Sequence, residues 1–154
     1  MTLEQLANAA EFLVLFVVAV TLIFVVSRMR RSTVYRSAVG VAFATAFILV
    51  WMNLAVGIIG DSDNLYNLMY VGVLAVGFVG AIVARFQPPG MARALFATAL
   101  AQALVAVIVL IAGLGVPGKP GPGGIVMING LFVALWLGSA WLFRRAATLS
   151  KGAS

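Results

Sequence analysis

The sequence predicts an all-α integral membrane protein: a helical bundle of five transmembrane helices, with the N-terminus outside and the C-terminus in the cytoplasm. Three observations lead to this prediction. The 154 residues are 64% hydrophobic and 9% charged, whereas soluble domains are about 45–50% apolar and about 25% charged. Five continuous apolar runs have the roughly 20 residues that one crossing needs. Basic residues gather in joints that five crossings place on one side of the membrane.

The five apolar runs form a single membrane domain, residues 1–154, and we expect each to be a helix. Backbone in lipid must satisfy its own hydrogen bonds, and the runs lack the alternating polarity of barrel strands. The first run is not a signal peptide, because Glu4 and Glu11 precede or enter it while its arginines follow it. The predicted spans cover residues 6–27, 38–60, 65–86, 91–114 and 125–143.

Short joints with turn-forming residues separate the last four runs. Residues 61–64 (DSDN) can cap the next helix, residues 87–90 (QPPG) break the chain's helical course, and residues 117–124 (PGKPGPGG) predict a loop. Because such joints are short, we expect consecutive helices to be antiparallel neighbours.

The charges decide the predicted orientation. Five crossings place Lys119 and all four acidic residues on one side, and every other basic residue on the opposite side. Cytoplasmic loops are enriched in Lys and Arg, so the basic side is predicted to be cytoplasmic. Tyr35, Tyr66 and Tyr70 fit the interfacial aromatic belts. The candidate contacts with anionic lipid headgroups are Arg28, Arg30, Arg31, Arg85, Arg93, Arg144 and Arg145, although topology alone accounts for these arginines equally well.

Small residues on the third and fourth runs predict close helix packing. In lipid, helices associate through close backbone approach, which Gly and Ala allow. The candidate seam consists of Gly77, Gly80, Ala81, Ala84, Ala94, Ala97 and Ala101. Packing of the two runs within one chain is favoured, and a contact between copies of the chain is the alternative.

Polar side chains within the apolar runs are the candidate functional residues. Glu11, Asn53, Gln102 and Asn129 are predicted to lie between mid-membrane and the outer edge, where they could form a polar pocket. The simpler interpretation is that the amides are hydrogen-bonding glue between helices and that Glu11 reaches the interface. The alternative is that Glu11 bonds Asn53 or Asn129.

The composition excludes several classes of chemistry. There is no cysteine and no histidine, which removes thiolate nucleophiles, imidazole bases, histidine-ligated haem and ordinary zinc sites. The residues supply no catalytic pair, so we expect neither an enzyme nor a bound cofactor or metal. The net charge of +6 is typical of a cytoplasmic membrane face, and we expect no nucleic-acid partner.

Two segments carry a resemblance to a known group of proteins. NLMYVGVLAVG at 67–77 and ARFQPPGMARALFATALAQ at 84–102 resemble an uncharacterised family of small bacterial inner-membrane proteins, over roughly residues 51 to 106. The resemblance implies a bacterial inner-membrane location and a helical bundle. It implies no activity, cofactor or catalytic residue.

The functional prediction is a non-enzymatic membrane protein that works by helix association, as a homo-oligomer or as an accessory subunit of a membrane complex. Its expected partners are the lipid bilayer and either itself or another membrane protein. The alternative is a small channel or transporter with a polar pocket between the helices.

Overall fold

A computed structural model of the protein describes residues 32–55, 58, 65–113 and 121–152, and every regular element within them is helical. Three of these helices are long and apolar enough to cross a membrane, and one is shorter. The predicted first span, residues 6–27, lies outside the described residues. The elements are α1 (Thr33–Ala55), a 3-10 turn (Leu65–Asn67), α2 (Leu68–Val83), α3 (Pro88–Ala112) and α4 (Pro122–Lys151).

The helix bounds differ from the predicted spans mainly where proline or basic residues extend a helix. Pro88 and Pro122 begin α3 and α4, because the first helical position needs no backbone N–H and suits the fixed φ of proline. Residues 122–124 are therefore helical rather than part of the predicted loop. α4 also continues past residue 143 to Lys151, whose charge complements the dipole at a helix C-terminus.

Two other bounds follow from local backbone conformation. α3 ends before Gly113, which adopts a left-handed conformation (φ 60°) and donates its N–H to the Val109 carbonyl, an ordinary glycine stop. α2 ends at Val83 because the next three residues form a turn. α1 begins at Thr33 and includes Arg36, since a membrane helix can extend beyond its apolar run.

The four described helices pack in the order α1, α4, α3, α2. α4 contacts both α1 and α3, and α2 packs against α3, whereas α1 and α2 make few contacts with each other. The expectation that consecutive helices are neighbours is therefore wrong for α1 and α2. The reason is visible at Ser139 of α4, whose hydroxyl donates to the Ala38 carbonyl of α1 at 2.7 Å and joins helices distant in sequence.

Contacts at both ends show that neighbouring helices run antiparallel. The Tyr35 hydroxyl, in the first turns of α1, donates to the Phe86 carbonyl in the turn between α2 and α3. Near the far end of α1, the Asn53 amide donates to the Asn67 carbonyl just before α2. The described basic residues all lie towards the Tyr35 end, which we call the basic end: Arg36, Arg85, Arg93, Arg144, Arg145 and Lys151.

Large apolar side chains cover the outside of the bundle as well as its core. Phe78, Val83, Ile111 and Met127 are each more than two-thirds exposed. Contiguous exposed apolar surface is unusual on a soluble monomer and is ordinary where lipid is the solvent. Hydropathy and surface together are those expected of membrane-spanning helices.

Candidate functional site

The most concentrated polar chemistry within the described bundle is centred on Asn129 of α4, which is 1% exposed. Its Nδ2 donates to the Ile125 carbonyl one turn earlier, at 2.9 Å. That bond fixes the orientation of the amide, because the oxygen must then point away from its own helix. The Oδ1 atom is thereby presented to the neighbouring helices.

Two donors from two other helices converge on this oxygen. Gln102 of α3 donates through Nε2 at 2.7 Å, and Tyr70 of α2 donates through its hydroxyl at 3.2 Å. All three side chains are buried. A carbonyl oxygen has two lone pairs, so Asn129 Oδ1 is saturated. We call Tyr70, Gln102 and Asn129 the polar cluster; it ties α2, α3 and α4 together at one point.

The polar cluster leaves one acceptor unused. Gln102 is fully buried and its Oε1 has no hydrogen-bond partner. Turning the amide over would bring two oxygens together at Asn129, so the orientation of Gln102 follows from that of Asn129. An unpaired buried carbonyl costs roughly 1–3 kcal/mol by protein mutational data, and it can accept from a small donor.

Asn53, on α1, is separate from the polar cluster. Its Nδ2 donates to the Asn67 carbonyl at 3.1 Å, and its Oδ1 is buried without a partner. Asn67 is itself buried and lies one turn before Tyr70. The structure therefore brings together Gln102 and Asn129 of the predicted pocket and places Asn53 nearby along the chain. Glu11 lies outside the described residues.

Polar side chains nearer the basic end bond within the backbone of the bundle. Ser139 bonds Ala38, and Thr98 donates to the Ala94 carbonyl in its own helix at 2.9 Å. Among the described residues, the buried side-chain atoms without a partner are Asn53 Oδ1, Gln102 Oε1 and Trp136 Nε1. Two of these three belong to predicted pocket residues.

The candidate seam is an interface of α2 with α3. A Cβ added at Gly80 would lie 2.7 Å from the Ala94 Cβ, and one at Gly77 would lie 3.1 Å from the Thr98 Oγ1. Ala84 lies equally close to Gly90 in the following turn. Of the remaining seam residues, Ala81 and Ala101 are half-buried and Ala97 is exposed.

The candidate lipid contacts are exposed where they are described: Arg85, Arg93, Arg144 and Arg145. Arg145 lies with its guanidinium carbon 5.5 Å from the centre of the Trp141 ring. Arg28, Arg30 and Arg31 lie outside the described residues. No group of three or more potential metal-ligating His, Cys, Asp or Glu residues occurs in the part of the chain that the structure describes.

Two tyrosines have roles that differ from the predicted aromatic belt. Tyr35 is 2% exposed and Tyr70 is 1% exposed, and each bonds another helix or turn; Tyr66 is exposed. The belt prediction was wrong for the two buried tyrosines because it used only their height along the chain. The spacing of Tyr70, Gly77 and Gly80 places all three on one face of α2, and that signal could have identified Tyr70.

Comparison with known proteins adds no relative. No family model, no curated protein and no solved structure matches this chain.

Proposed function

We propose that this chain is a non-enzymatic bacterial inner-membrane protein that works by helix association, as a homo-oligomer or as an accessory subunit of a membrane complex. The proposal includes five transmembrane helices, an outer N-terminus and a cytoplasmic C-terminus. The observation that carries it is an outward face of α4. Gly130, Ala134 and Gly138 follow one another at four-residue spacing and are exposed, and a Cβ at either glycine would meet nothing within 4 Å.

This face has the composition that membrane helices use to pack against one another. The comparable small residues of α2 already lie against α3, whereas the α4 motif has no neighbour within the described bundle. A second helix could approach its backbone closely. Association through α4 would leave the polar cluster undisturbed, because Asn129 lies on the opposite, buried face.

Helix lengths support the proposed crossings. At about 1.5 Å per residue, α1, α3 and α4, with 23, 25 and 30 residues, exceed the roughly 30 Å of the hydrocarbon core. The 16 residues of α2 reach about 24 Å. The three residues of its 3-10 turn add about 6 Å, so this shorter element also matches the bilayer.

The proposal is tested by the oligomeric state in mild detergent, measured by light scattering and native mass spectrometry. We expect the wild-type chain to form one stable oligomer or to co-purify with one membrane partner. Gly130→Leu with Gly138→Leu should abolish that association. The matched control is Gly40→Leu with Gly72→Leu, since these glycines are also exposed with open space around them. A lone wild-type monomer, or equal loss in both variants, contradicts the proposal.

The second candidate is a small channel or transporter, and the unpaired Gln102 Oε1 and Asn53 Oδ1 atoms favour it. Buried acceptors without donors are suited to a passing or bound polar solute. Flux of small polar solutes into liposomes that falls in Gln102→Ala, while helix content stays constant, would support this candidate. Equal flux in protein-free liposomes would reject it.

A further inference from the structure

Three helices meet at Tyr35 on the basic end. Tyr35 lies on α1 and is nearly fully buried. Its hydroxyl donates to the Phe86 carbonyl at 2.7 Å, and its ring meets the Phe143 ring of α4 edge-on, with centroids 5.2 Å apart. We call Tyr35, Phe86 and Phe143 the Tyr35 cluster. It fixes the first turns of α1, the turn between α2 and α3, and the later part of α4 relative to one another.

Each member of the Tyr35 cluster has an arginine as its neighbour in sequence. Arg36 follows Tyr35, Arg85 precedes Phe86 and Arg144 follows Phe143. Consecutive Cα atoms are about 3.8 Å apart, so these three arginines start from backbone positions that surround one contact. All three are exposed. The fold thus gathers three positive charges, from two helices and a turn, that are far apart in sequence.

The turn that carries Arg85 adopts an uncommon backbone conformation. Arg85 and Phe86 both have positive φ, at 48° and 56°, a region that non-glycine residues rarely adopt. The Tyr35 hydroxyl holds the carbonyl of the second residue, and the Arg85 N–H donates to the Ile82 carbonyl. Retained strain of this kind often accompanies function, and here it sets the position of one of the three arginines.

The charge of this surface has no counterpart within the described ranges. These ranges contain no Asp or Glu, so the three guanidinium groups face no described carboxylate. Guanidinium groups form paired hydrogen bonds with phosphate. A phosphate group would therefore supply both the missing negative charge and the acceptors.

The depth of the surface identifies the source of phosphate. Arg144 lies 22 residues after Pro122, the start of α4, which is about 33 Å along the helix and close to the thickness of the hydrocarbon core. Nearby Trp141 is exposed and stacks under Arg145, and tryptophan favours the membrane–water interface. These residues lie where lipid headgroups lie.

We propose that Arg36, Arg85 and Arg144, gathered by the Tyr35 cluster, bind the phosphate of an anionic phospholipid headgroup. The site requires that the chain lies in a bilayer, as proposed above, but it does not require that the chain forms an oligomer. Its ligand is a lipid such as phosphatidylglycerol rather than free phosphate, because the apolar walls of the helices accompany the acyl chains.

The test is lipid binding by the full chain in mild neutral detergent, measured by native mass spectrometry during titration with phosphatidylglycerol or phosphatidylcholine. We expect a clear preference for phosphatidylglycerol. Replacing Arg36, Arg85 and Arg144 by Gln should weaken its binding at least about tenfold. The matched control replaces Arg93, Arg145 and Lys151 by Gln, which removes the same charge from the same end, and should weaken binding less than about threefold.

Further arms make each outcome decisive. Replacing the three arginines by Lys keeps the charge and the fold while removing the guanidinium fork, so affinity should fall to an intermediate value; unchanged affinity would overturn the phosphate-binding geometry. Equal loss in the two Gln variants would mean diffuse attraction and would overturn the site. Competition by millimolar inorganic phosphate would overturn the lipid as its ligand. Because detergent binding is independent of orientation and oligomer, a failure here is distinguishable from failure of the proposed function.

Discussion

Replacing Gly80 by Ala tests the packing of α2 against α3 most sharply. The new Cβ would lie 2.7 Å from the Ala94 Cβ and 3.3 Å from its Cα, closer than two carbon atoms can approach. Overpacking of this kind costs typically 1–3 kcal/mol. Helix propensity opposes it, since Ala is better than Gly by roughly 0.5–1 kcal/mol. We expect Gly80→Ala to be destabilising overall, by up to about 2 kcal/mol.

The same substitution at Gly72 isolates the steric part of this effect. Gly72 lies on the same helix, and an added Cβ there meets nothing within 4 Å, so only the favourable propensity term remains. The free energy of unfolding of the two variants, measured by SDS titration in mixed micelles, should differ by about 1–3 kcal/mol.

Ala94→Gly completes the test as a double-mutant cycle. It removes the Cβ that the methyl group introduced by Gly80→Ala would meet, so it should rescue part of the lost stability. Two results refute the reasoning: equal stability of Gly80→Ala and Gly72→Ala, or additive effects of Gly80→Ala and Ala94→Gly.

Two further predictions concern hydrogen bonds. Asn129→Leu leaves both Gln102 Nε2 and Tyr70 Oη without their acceptor and should cost about 2 kcal/mol, whereas Ser139→Ala, which removes a single donor, should cost about 0.6 kcal/mol; SDS titration giving the reverse order would contradict the saturation of Asn129 Oδ1. Tyr35→Phe keeps the ring contact but removes the hydroxyl, so it should cost about 1 kcal/mol and increase amide hydrogen exchange at residues 84–87. Unchanged exchange there would mean that Tyr35 does not hold the turn.

Local chemistry explains why much of the helical structure was predictable. Long apolar runs indicate helices wherever backbone groups lack water, and the joints around Pro88 and Gly113 mark α3 closely. Gly80 and Ala94 could be identified as packing residues because small side chains are the means of close approach in lipid. Their partnership with each other required the structure.

The arrangement of helices was less predictable because sequence gives depth but not angular position. α1 packs against α4 rather than α2, and no local pattern around Ala38 or Ser139 indicates that pairing. Asn53 and Gln102 were grouped by depth, yet Asn53 bonds the Asn67 backbone instead of the polar cluster. The buried hydroxyl of Tyr70 was missed for the same reason, since tyrosine at that depth is usually interfacial.

The account depends most on the claim that the chain crosses a bilayer with its basic end in the cytoplasm. The chain has no cysteine, so Gly121→Cys and Ser150→Cys each introduce a single thiol, at opposite ends of α4 and at exposed positions. A membrane-impermeant maleimide added to intact bacterial cells should label position 121 directly, and position 150 only after the membrane is permeabilised. Equal labelling of both positions before permeabilisation would contradict the crossing itself, and the reverse pattern would contradict the orientation.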